Sequence, residues 1–161
     1  SEELVAPVPD GRGVTLSARL DINDLHADDR RRNWFDADNT MRTKFAPTSK
    51  IDKWKTTPAI PVIKIGEVYL MAAEAAAKSD RLPAGIGLFN DFMVQRNSES
   101  LKLPETATQD QLMEAIDKQY RYEFLGEGVG YHFCKRLNQT ITAYDGSQIT
   151  EIGKKAFPIV K

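Results

Sequence analysis

The chain has 161 residues with 22 Lys or Arg against 23 Asp or Glu, and a net charge of -1 excludes a field that draws nucleic acid or an anionic membrane. Hydrophobic residues at 41% and charged residues at 28% are ordinary for a globular protein with a real core. No apolar run nears the roughly 20 residues of a bilayer-spanning helix, and the single Cys134 excludes an intramolecular disulfide.

One domain over residues 1–161 is expected, with an irregular, Pro- and Gly-containing lead-in over 1–28. The chain opens at Ser1 without a methionine or signal sequence, as expected of a processed or excised product. From Asp21 to Asp38 it is charge-dense, with Trp34 and Phe35 as an aromatic anchor. Asp21, Asn23 and Asp24 lack the glycine and closing glutamate of a calcium loop, so no metal is assigned there. Arg30, Arg31 and Arg32 could form a phosphate clamp, but Asp28, Asp29, Asp36 and Asp38 surround them. A solvated, internally paired loop is the reading preferred.

Met41 to Phe45 is a short strand candidate, broken by Pro47. Trp54 stands among Lys50, Lys53 and Lys55, where it could stack on a sugar or cap the core. The β-branched run Ile60 to Ile65 then leads into a helical hairpin, Ile65 to Asn97. In its first arm Ile65, Val68, Tyr69, Ala72, Ala73 and Ala76 fall on one helical face, with Glu67, Glu74 and Lys78 on a polar strip. Ser79, Asp80 and Arg81 break the pattern and Pro83 suits the start of a second helix. There Gly85, Leu88, Phe89, Phe92, Met93 and Arg96 recur at helical spacing, so an aromatic stripe faces the alanines of the first arm.

A polar loop from Asn97 to Ala107 contains Pro104. Thr108 and Gln111 have capping-box spacing, and Leu112, Ile116, Tyr120 and Phe124 form the ridge of a third helix, with Gly126 as a left-handed stop. That helix should lie across the hairpin. Arg121 and Glu123 are read as a partly buried ion pair fixing its docking. The glycines of GEGVG, residues 126–130, follow a helix rather than a strand, which argues against a dinucleotide loop. Tyr131 to Leu137 resumes helical character; Cys134 reads as a buried hydrophobe, since His132 and Cys134 lack further zinc ligands. Ile149 to Lys161 reads as an extended tail.

No nucleophile triad, framed carboxylate pair or cofactor motif emerges. Four segments taken in order resemble the carboxy-terminal part of SusD/RagB proteins: IPVIKIGEVYLMAAEAAAK (Ile60 to Lys78), LFNDFMVQRN (Leu88 to Asn97), QYRYEFLGEGVGYHFCKRLN (Gln119 to Asn138) and KKAFPIVK (Lys154 to Lys161). Departures from the family pattern fall at Val129, Gly130, Cys134 and Met93. The resemblance implies a mainly α fold: a tetratricopeptide-like hairpin, further helices, a few short strands and long loops. It also implies a non-catalytic, surface-exposed outer-membrane lipoprotein of Bacteroidetes-type bacteria that captures oligosaccharides, or in some members peptides. Such a protein partners a SusC-like TonB-dependent transporter and needs no cofactor, and this chain would be its carboxy-terminal fragment. Trp34, Trp54 and Tyr131 are the ligand-binding candidates, because sugar faces pack on aromatic rings. The alternatives are a helical-repeat adaptor holding a protein or peptide in the hairpin groove, and a small enzyme around Glu123, Glu127 and His132.

Overall fold

A computed structural model describes residues 14–15, 22–35, 40–41, 63–142 and 148–150. The fold is mainly helical, as the sequence predicts. Helices α1 (Ile65–Lys78) and α2 (Leu82–Gln95) form the expected hairpin. Between them Asp80 takes a positive φ of 58°, and the Arg81 amide donates to the Ala76 carbonyl at 2.9 Å. Aspartate is one of the few non-glycine residues that visits this region readily, which keeps the turn short.

The buried face of α1 consists of Gly66, Leu70, Ala73, Glu74, Ala76 and Ala77. This corrects the expected face: Ile65 and Val68 are exposed, as is Met71, whereas Glu74 is buried and bonded by Lys78 at 2.7 Å. Backbone proximity is the cause. A Cβ added at Gly85 of α2 would lie 2.8 Å from the Ala73 carbonyl oxygen and 3.3 Å from the Ala77 nitrogen. Helices this close admit only small side chains at the contact, so of the larger apolar residues of α1 Leu70 is buried while Ile65, Val68 and Met71 turn outward.

On α2 the inward residues are Gly85, Ile86, Phe89, Phe92 and Met93. Gly85→Ala should cost about 1–3 kcal/mol, because the obstructing atoms are backbone and Leu112 Cδ2 at 3.1 Å. Gly87→Ala, with nothing within 4 Å, should instead stabilise by about 1 kcal/mol through helix propensity. Urea unfolding midpoints of the two variants check this; a shift of the same sign for both would refute the close approach.

The loop after α2 holds one 3-10 turn, Glu99–Leu101, and is clamped by Asn90. The Asn90 amide donates to the Leu103 carbonyl at 2.9 Å and accepts from the Leu103 N–H at 2.8 Å, satisfying backbone that no helix serves. Helix α3 (Gln109–Glu123) begins with the expected capping box: the Thr108 amide donates to Gln111 Oε1 at 2.8 Å and the Gln111 amide to Thr108 Oγ1 at 3.2 Å. Leu112, Ile116 and Tyr120 are buried where α3 lies across both arms of the hairpin.

By contact density the chain divides into two units, Ser1–Glu123 and Phe124–Lys161. Besides the helices, the first contains strands β1 (Val14–Thr15) and β2 (Thr40–Met41), paired antiparallel with Val14 opposite Met41. Only Met41 of the expected strand Met41 to Phe45 is among the described residues. In the second unit Gly126 and Gly128 take positive φ, and Gly128 caps α4 (Val129–Arg136). Phe133 and Cys134 are buried, and strands β3 (Ile141–Thr142) and β4 (Gln148–Ile149) pair antiparallel.

Candidate functional site

The polar centre of the first unit starts in a stretch where the sequence suggests a solvated loop. Residues Arg30–Trp34 form a 3-10 helix capped by Asp29, whose carboxylate accepts from the Arg31 amide at 2.8 Å. The same carboxylate accepts from Arg31 Nε at 3.0 Å and Nη2 at 2.7 Å, and from the Ser98 hydroxyl. Arg31 is wholly buried at 0% exposure, which corrects the solvated-loop reading of Arg30 to Arg32. Local charge balance showed that the arginines had acids nearby, but not that one ion pair would turn inward as a unit.

Beside it lies a second pair. Arg96, just past the end of α2, donates to Glu123 at the end of α3 through Nε at 2.9 Å and Nη2 at 2.6 Å. Arg31 Nη1 is 3.9 Å from Glu123 Oε2, beyond hydrogen-bond range. The expected Arg121–Glu123 pair does not form: Arg121 bonds Asp117 at 2.9 Å instead. Two residues apart on a helix, Arg121 and Glu123 point to different faces, whereas Asp117 and Arg121 at i, i+4 are neighbours. Glu123 is thereby held in a buried ion pair.

Both guanidinium groups sit over the ring of Phe92, Arg96 at 5.0 Å and Arg31 at 5.8 Å from its centroid, and Arg31 is 5.9 Å from that of Tyr122. Gly66 closes the arrangement from α1. A Cβ there would lie 2.8 Å from Arg96 Nη2 and 3.2 Å from Glu123 Oε1. Segment 22–35 is tied to the hairpin and α3 by this network, with a further bond from the Arg30 amide to the Arg96 carbonyl at 3.1 Å. Arg32 holds the segment's own fold, donating to the carbonyls of Ile22 and Leu25.

Burial acts to raise the Asp29 carboxyl, but the Arg31 side-chain bonds and charge, with Ser98 and the Arg31 amide, outweigh it and hold Asp29 below the usual carboxylate range. A depressed folded-state value means stability present above the ordinary carboxylate range and lost as pH falls through the folded value. Urea midpoints taken from ~pH 5 to ~pH 2 should therefore fall more steeply for the native chain than for Asp29→Asn. Parallel curves would show that Asp29 gains nothing from its partners.

Above the network is an open cleft of about 310 Å³. Its buried lining is Arg31, Gly66 and Glu123; its more accessible lining includes Arg30, Trp34, Ile63 and Ile65. Trp34 thus stands at a cleft, partly exposed, at the end of the 3-10 helix. Tyr131 lies in the second unit on α4, partly exposed, its ring edge-on to His132 with centroids 5.6 Å apart. Trp54 lies outside the described residues. Among the described residues no group of three His, Cys, Asp or Glu side chains is placed to hold a metal, and no helix is long and apolar enough to cross a membrane.

Residues 21–147 match the model of the SusD family, a span that takes in the network, the cleft and both flanking helices. The chain belongs to the SusD family. No curated protein matches it, and no solved structure does. SusD-family proteins are generally surface proteins, outer-membrane-associated lipoproteins that bind nutrients such as glycans and work with SusC-like transporters. They generally act by binding rather than by catalysis. Within this SusD-family chain, sequence reasoning missed Asp29, Arg31 and Ser98 as a buried unit. Arg96 and Glu123 carried a readable signal: each occupies an apolar register, Arg96 after Phe89 and Phe92, Glu123 after Ile116 and Tyr120. Opposite charges at core positions of two packed helices point to one another.

Proposed function

We propose that this chain is part of a non-catalytic surface lipoprotein that captures oligosaccharides and delivers them to a SusC-like TonB-dependent transporter. Its membership of the SusD family over residues 21–147 carries this reading. Trp34 is the ring we assign as a sugar platform, because it lines an open cleft beside polar groups, the combination that packs a pyranose face and bonds its hydroxyls. Trp54 and Tyr131 are the further candidates.

The ion network beneath the cleft suits this role. It ties the segment that carries Trp34 to the hairpin and α3, which supports a platform built before the ligand arrives, with little ordering entropy opposing binding. In affinity gels containing soluble glycans, the intact protein should be retarded by its ligand, and Trp34→Ala should lose most of that retardation. A stacking ring contributes roughly 1–3 kcal/mol, about five- to 150-fold in affinity. Unchanged migration of Trp34→Ala would return the ring to a packing role.

A further inference from the structure

Resting on that capture reading, we infer that the cleft selects saccharides bearing an anionic group, a carboxylate or a sulfate. Among the described residues the carboxylate in its lining, Glu123, already accepts two bonds from Arg96, and Asp29 behind it accepts from Arg31 and Ser98. The acids are therefore used internally. One donor group is not used up: Arg30 is exposed in the cleft lining with no side-chain ion pair or hydrogen bond among the described residues.

A neutral sugar offers hydroxyls that both donate and accept, and among the described side chains of the lining the carboxylate acceptor, Glu123, is already engaged by Arg96. An anionic group only accepts. The planar guanidinium of Arg30 matches two oxygens of a carboxylate or sulfate side by side, and such charge-assisted bonds are about twice as strong as neutral ones. Trp34 would carry the apolar face of the same sugar ring, with Ile63 and Ile65 along its edge. Arg31 and Arg96 are matched by Asp29 and Glu123, so among the described residues Arg30, at the accessible side of the cleft, is a lining cation with no carboxylate of its own, and Lys64 adds a further positive charge to the same lining.

The test is calorimetric titration of the intact protein with three probes of equal length: an oligogalacturonide, a sulfated galactan oligosaccharide and a neutral galactan oligosaccharide. At least one charged probe should bind about tenfold or more tighter than the neutral one. Arg30→Gln, an exposed substitution, should bring that probe to the affinity of the neutral one; which charged probe responds separates carboxylate from sulfate. Equal or tighter binding of the neutral probe would overturn the inference and leave the capture reading standing. A charged preference that survives in Arg30→Gln would overturn the role of Arg30, and one that also survives when Lys64→Gln is added would overturn the assignment to this cleft. Binding of none of the probes, together with no retardation in glycan gels, would overturn both readings.

Discussion

Arg31→Met is expected to lose about 3–5 kcal/mol of stability, the usual cost of removing one partner from a buried ion pair. The loss comes from what stays behind: an Asp29 carboxylate at 2% exposure, with only Ser98 and one backbone amide as donors. Asp29→Leu combined with Arg31→Met should recover much of it, since an apolar pair of similar volume carries no stranded charge. Urea unfolding followed by circular dichroism reads both values. A loss below about 1 kcal/mol for Arg31→Met would be the behaviour of an exposed pair and would place Arg31 in solvent.

Phe92→Ala should cost about 3–5 kcal/mol as a buried aromatic truncation. Its ring is 1% exposed and serves two purposes at once, filling the space under Gly66 and presenting its face to Arg31 and Arg96. Phe92→Leu separates these, because leucine restores most of the volume and none of the ring quadrupole. The leucine variant should retain a deficit of about 1–2 kcal/mol from the lost cation contacts. If Phe92→Leu matched the native chain, the two arginines would gain nothing from the ring, and packing alone would explain the site.

The hairpin, its turn and the capping box of α3 were legible because each depends on neighbours within four residues: alanine spacing, Pro83, and Thr108 with Gln111. Which face of α1 turns inward was not. The expected face held Ala73 and Ala76, which are buried, but also Ile65 and Val68, which are exposed; the approach of the α2 backbone at Gly85 turns Ala77 inward as well, and that distance is a property of two helices together. The same holds for the site. Asp29 and Ser98 are 69 residues apart, and Arg96 and Glu123 are 27 apart. Spacing within one segment carries no record of such partners. Their trace was chemical instead, in charged residues occupying core registers on α2 and α3.

Where a ligand sits is read most directly by amide hydrogen exchange on the intact protein, with and without a saccharide that it retains. Binding in the cleft should slow exchange in residues 30–35 and 63–66, while the outward amides near the start of α3 stay unchanged. Protection confined to other regions, with 30–35 and 63–66 unaffected, would contradict the assignment of Trp34 and its cleft as the place of capture.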